Sequence, residues 1–314
     1  MKNHISSVIL LLGFLPLTTF SQINVDPVAL GLPGDNLNLY AVLEIFQKSP
    51  TLEEFEKSIN SKDTNINNLD LNNDKLVDYI SVINLKDELF HSIVLRVPIN
   101  NKENQDVAVI EVSKDKNDKV AIQIIGDEDL YGKNYIVEPS NKKAVSGTPN
   151  PGYIENDTEI YYVTDWPIVV HLFSPVYVVY SSPWYWGFYP SYWNPWIPIY
   201  YHDYWGFHSH YYHNHFYRRW SYIRYPNHHH NYTRSRRSSA IVTQNRRSGV
   251  YDATYDGRVY SKPKTPTRRQ SQVRTADRQT NPSTRSTTRR TTSPQNDNRR
   301  NSSSTNKRTN GRRN

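Results

Sequence analysis

The sequence predicts an α+β domain in its first half, with two N-terminal helices packed on an antiparallel meander of about four or five strands. A Pro- and aromatic-rich segment of low order and a disordered basic tail are expected to follow. Three observations predict this. Apolar residues recur at helical spacing between Leu39 and Ile59, and the pattern then changes to β-branched runs between Val77 and Ile125. After that the composition breaks twice, first to Trp, Tyr, Pro and His and then to Arg, Ser, Thr and Asn.

The chain opens with the pattern of a signal peptide over residues 1–21. Met1-Lys2 leads into the apolar stretch Val8 to Leu17, and Thr19 and Ser21 flank a cut before Gln22. That stretch is too short to span a bilayer, so the product is expected to be exported and to be periplasmic, on the outer surface or extracellular. Absence of cysteine excludes disulfides, thiolate metal sites and a lipid-modified cysteine.

Residues 22–140 read as one acidic domain. Leu39, Val42, Leu43 and Phe46 fall at i, i+3, i+4 and i+7 with Asp35 as the expected cap, and Ser49-Pro50 stops the helix. Thr51 and Glu54 form a capping box before Leu52, Phe55 and Ile59. Strands are expected at Val77 to Leu85, Leu89 to Val97, Asp106 to Lys114 and Lys119 to Ile125, the last two joined by the polar turn Asp115 to Asp118. A short strand at Tyr135 to Val137 is expected to complete the sheet before a linker at 141–159.

Residues 160–232 hold all seven tryptophans and 16 of the 24 tyrosines. Two short strands are expected at Ile160 to Val163 and Val176 to Tyr180, and beyond Ser181 the prolines favour extended or polyproline-like chain. The expected tail, 233–314, ends in 38 residues from Asp277 without one apolar side chain, so no burial there offsets chain entropy. Charge is divided accordingly. Residues 22–165 carry 25 Asp+Glu against 13 Lys+Arg, whereas residues 233–314 carry 21 Lys+Arg against 4 Asp. The two regions attract each other, and the tail suits an anionic envelope polymer, or nucleic acid without sequence preference.

Two clusters carry candidate metal chemistry. Asp70, Asn72, Asp74 and Asp78 take positions 1, 3, 5 and 9 of a calcium-type loop, with the Leu76 carbonyl at position 7. Lys75 stands where glycine is usual and Ser81 where a bidentate Glu is usual, and the loop runs straight into a strand. It is therefore similar to the single calcium loops of dockerin and FG-GAP repeats. The competing reading is a polar turn whose side chains bond their own backbone. The second cluster, His208, His210, His213 and His215 with His202 and His228 to His230 nearby, has ligand types suited to Zn²⁺, Cu²⁺ or Ni²⁺, or else is a low-complexity aromatic run.

The segments LDLNNDKLVDYISVI, QDVAVIEVSKDKN and IQIIGDEDLYGKNYIVEP, followed by the Trp/Tyr/Pro/His stretch, resemble a group of exported bacterial proteins built in this order. That group has no established activity, so the resemblance implies export and domain order and no mechanism. No G-x-S-x-G, Walker loop, strand-linked G-x-G-x-x-G, H-E-x-x-H or cysteine nucleophile is present. The carboxylates Asp127-Glu128-Asp129 are expected to form a solvated turn. The expected function is a non-enzymatic, envelope-associated or secreted interaction protein whose aromatic and basic regions meet an anionic or glycan-bearing surface.

Overall fold

The computed structural model describes residues 29–140, 160–212 and 216–258. The expected leader, the linker at 141–159, His213, His215 and the chain beyond residue 258 lie outside the described residues.

Capping sets both early helices. Helix α1 (Leu39–Lys48) starts at Asn38, whose side-chain oxygen accepts from the Tyr40 and Ala41 amides at 2.9 and 3.4 Å. The expected cap, Asp35, sits instead in a 3-10 turn at Pro33–Asn36 and accepts from the Leu30 and Gly31 amides. The chain leaves that turn extended at Leu37, so the α-helix begins only at the next side chain able to cap it. Helix α2 (Leu52–Ile59) starts where the capping box places it, with Thr51 Oγ1 accepting from the Glu54 amide at 3.2 Å.

Strands β1 (Ser81–Asp87), β2 (Phe90–Pro98), β3 (Asn104–Lys114) and β4 (Val120–Gly126) form a meander. A one-turn helix α3 (Glu128–Tyr131) leads to β5 (Ile136–Pro139). The sheet is wholly antiparallel, and its sixth strand, β6 (Tyr217–Trp220), pairs Ile136 with Trp220 and Pro139 with Tyr217. The expected count of four or five is therefore exceeded by one strand drawn from the aromatic region.

Period two divides the sheet between two covers. Ile93, Leu95, Ile110, Ile122 and Ile124 face a core shared with α1, α2 and α4 (Pro167–Leu172). Val94, Val109, Ile125 and Ile136 face the other way, against Trp220 of β6 and Tyr232 of α6 (Pro226–Ser235). That second face also carries Glu111, Gln123 and Glu138, which are buried. Alternation of this kind reads as a solvated face, yet here the later chain supplies the counter-charges. Arg218 donates to Glu138 at 2.8 Å and Arg224 also reaches it at 2.8 Å, while His229 meets Glu111 at 2.7 Å. The Trp220 indole lies 4.5 Å from each of the two guanidinium carbons.

Two expectations are corrected here. Beyond Ser181 the chain is irregular only as far as residue 200: it then forms α5 (Tyr201–Tyr212), which buries Tyr201, Tyr204 and His208, and continues into β6 and α6. Neither expected strand forms. Residues 160–163 are irregular, and residues 176–180 run beside the β1 edge, where Asn84 N–H donates to the Tyr180 carbonyl at 3.0 Å and Ser181 bridges to Ile83. Nor is the chain disordered over residues 233–258. It completes α6, then forms α7 (Ala240–Arg247) and a 3-10 turn at Val250–Tyr255, with Val242 and Tyr255 buried. Sparse apolar residues suffice there because the arginines find buried or half-buried carboxylates. Arg236 pairs with Asp127 and Asp129, and Arg246 with Asp129. Asp127 is consequently buried and caps α3 rather than lying in a solvated turn. No helix among the described residues is long and apolar enough to cross a membrane.

Candidate functional site: an acidic loop beside an aromatic cleft

The loop between α2 and β1 closes on its own side chains. Asp70 accepts from the Asp74 amide at 3.1 Å through Oδ1 and from the Lys75 amide at 3.0 Å through Oδ2. Asn72 Oδ1 accepts from the Asp74 amide at 2.8 Å, Asp74 Oδ1 from the Leu76 amide at 2.9 Å, and Asp78 Oδ2 from the Leu71 amide at 2.5 Å. Asn73 and Lys75 take φ of 62° and 70°. Lys75 thus adopts the left-handed conformation that glycine serves in calcium loops, at a local cost of about 1 kcal/mol.

The loop is electrostatically tense. Burial raises the Asp70 carboxyl above its ordinary range, and the Asp74 carboxylate adds to the shift. Burial lifts Asp78 much further, with Asp70 and Asp74 pushing in the same direction against the hydrogen bond from Leu71. Later chain pins the loop on both sides. Val77 N–H donates to the Trp196 carbonyl at 2.8 Å, and Tyr251 Oη donates to the Leu71 carbonyl at 2.6 Å.

Beside the loop lies a cleft of about 410 Å³. It is lined by Asn72, Asp74 and Leu76 and by Trp186 and Gly187, the central residues of the tight turn Tyr185 to Phe188, which is closed by reciprocal backbone bonds of 3.1 and 2.8 Å. Gly187 takes φ 75° at that turn. The floor is built from rings in mutual contact: Tyr79 and Trp193 have centroids 5.2 Å apart, and Tyr189 lies 4.7 Å from Trp193 and 5.7 Å from Tyr79. Around this floor Tyr185, Trp186, Phe188 and Tyr192 remain 62, 37, 51 and 53% exposed.

The described histidines do not gather into a metal-ligand group. His208 is buried in α5, stacks on Tyr204 at 4.2 Å, and uses Nε2 on the Asn65 carbonyl at 2.7 Å. Burial lowers its pKa to about 4. His210 stacks on Tyr211, and His228 lies flat on Phe90 at 4.1 Å. The rings of His208, His210, His228 and His229 are thus employed as aromatic or hydrogen-bonding groups. Among the described residues no three His, Cys, Asp or Glu side chains stand together as a metal-ligand group.

One residue that holds the site together went unnoticed in the sequence. Glu56 is buried and accepts four hydrogen bonds: from Tyr79 Oη (2.7 Å), Ser182 Oγ (2.8 Å), the Val82 amide (2.8 Å) and Tyr180 Oη (3.2 Å). It ties the cleft's floor and the start of its aromatic wall to α2. The signal was available, since Leu52, Phe55, Glu56 and Ile59 share one stripe of α2, and a carboxylate on an apolar stripe demands partners. Comparison with protein-family models, with curated proteins and with solved structures finds no match for this chain.

Proposed function

We propose that this chain is an exported, non-enzymatic interaction protein that presents an aromatic surface from a rigid α+β body and holds an anionic envelope polymer through its basic C-terminal region. The observation that carries this reading is the exposure of Tyr185, Trp186, Phe188 and Tyr192 in a segment whose backbone is pinned to the β1 edge and whose Ser182 and Tyr180 hydroxyls are held by Glu56. Rings of this size left in water on a well-anchored segment favour a surface that binds. Calcium would firm the junction between α2 and β1. Its charge would offset the mutual repulsion of Asp70, Asp74 and Asp78, and the amide of Asn72 and carbonyl of Leu76 are hard oxygen donors of the type it takes.

The division of the arginines supports the second half of the proposal. Arg236 and Arg246 are engaged by Asp127 and Asp129, whereas from Val259 onward the sequence carries 15 Lys+Arg against 2 Asp. A chain ending at Arg258 is expected to fold as the full chain does and to elute early from a heparin or polyphosphate matrix, while the full chain is retained until roughly 0.3–0.5 M salt. Equal retention of the two would remove the basic region from the function.

A further inference from the structure

We propose that the cleft between the acidic loop and the Tyr185 to Phe188 turn is a saccharide site that takes a neutral sugar ring. This rests on reading the aromatic surface as one that binds, and it supplies that surface with a ligand class. A volume of about 410 Å³ accommodates one or two hexose units. The chemistry of the walls selects among ligands of that size.

A pyranose presents a patch of C–H groups on one face and hydroxyls around its rim. The cleft mirrors that division. Trp186 stands at the tip of a tight turn, held out by Gly187, and nothing lies within 4 Å of the position a Cβ at Gly187 would occupy. An indole so placed offers its face to the C–H patch without having to leave a packed site. The lining also holds Asn72, whose amide donates to Asp74 Oδ2 at 3.1 Å, and the second amide hydrogen and further carboxylate lone pairs can serve rim hydroxyls. Trp193, whose ring forms part of the floor, keeps a buried indole N–H without a partner among the described residues, a donor still to be satisfied.

Charge decides which sugar enters. The lining includes Asp74 and Asp78 and no Lys or Arg, so uronic acids, sulfated sugars and phosphate headgroups meet repulsion. A neutral hexose or N-acetylhexosamine meets none. The floor rings, buried at Tyr79 and Trp193, are fixed by contact with one another, and Tyr79 by its bond to Glu56, so the base of the cleft is already ordered before a ligand enters.

The test is a titration of the full chain with N-acetylglucosamine and glucose tetramers and with a galacturonate tetramer, followed by tryptophan emission and calorimetry. It is run once with calcium and once with chelator, because Asp74 serves both loop and cleft. Saturable binding of a neutral tetramer in either condition is expected, at a dissociation constant of roughly 10 μM to 1 mM. Trp186→Ala should weaken it about tenfold or more, and Trp186→Phe should restore most of the affinity with an unchanged far-UV spectrum. Failure of both neutral tetramers in both conditions, preference for the galacturonate, or affinity indifferent to Trp186→Ala would overturn the proposal. The salt-dependent retention of the basic region is measured separately, so it would survive such a failure.

Discussion

Glu56 offers the most direct test of whether the aromatic region belongs to the folded body. Two of its four donors, Tyr180 and Ser182, lie in that region, and two, Tyr79 and the Val82 amide, lie in the scaffold. Glu56→Ala removes the shared acceptor and leaves four donors to find water or go unpaired. Each such loss costs about 1 kcal/mol or somewhat more, and the burial that raises the Glu56 pKa offsets part of the total. The expected loss is therefore roughly 3–5 kcal/mol, with Glu56→Gln losing less because its amide oxygen still accepts. All seven tryptophans lie between Trp166 and Trp220, so their emission reports this region alone, whereas far-UV circular dichroism is dominated by the sheet and helices of the scaffold. In urea the two signals should change together in the wild type and move together to lower urea in the variant. A tryptophan transition that precedes the far-UV transition in the wild type, or a Glu56→Ala loss below about 1 kcal/mol, would refute the docking argument.

Two further expectations follow from the charged and titrating groups. Calcium should raise the melting temperature of the wild type by a few degrees and leave the Asp70→Ala/Asp74→Ala double variant unmoved; identical wild-type melting in calcium and in chelator would dismiss the metal. For His208, burial lowers the folded pKa from 6.5 to about 4, so the unfolded chain takes up its proton first and stability falls as pH drops from about 6.5 towards 4. The loss attributable to this ring is about 3 kcal/mol at 1.36 kcal/mol per unit, and denaturation at a series of pH values should show a shallower acid slope in His208→Gln. His91, also lowered to about 4, contributes in the same direction and keeps the slope from vanishing. An unchanged slope in the variant would show that His208 is not held neutral by its surroundings.

The local rules that worked were those whose cause is local. Thr51 caps α2 because its hydroxyl reaches an amide three residues on, Pro50 bars α1 from continuing, and Asp115 turns the β3–β4 connection by accepting from the Asn117 and Lys119 amides. The loop at Asp70 to Asp78 was equally legible, down to the strained Lys75, since every bond that shapes its tip joins residues no more than five apart.

What the sequence determined by itself is thus the two early helices and the run of strands from β1 to β5, the acidic loop and the opposition of charge between the two halves of the chain. Only the tertiary structure decided that Tyr217–Trp220 would become the sixth strand, that Arg236 would cover Asp127, and that His208 would be buried with its Nε2 on the Asn65 carbonyl. Each of these joins residues roughly 80 to 145 positions apart, a separation at which periodicity and composition carry no information. The proline-rich composition correctly signalled irregular backbone through much of 174–200, but it could not show that this backbone would find its hydrogen bonds on the β1 edge and its aromatic partners around Tyr79. An apolar or charged surface specifies that it must be covered, and only the folded chain specifies by what.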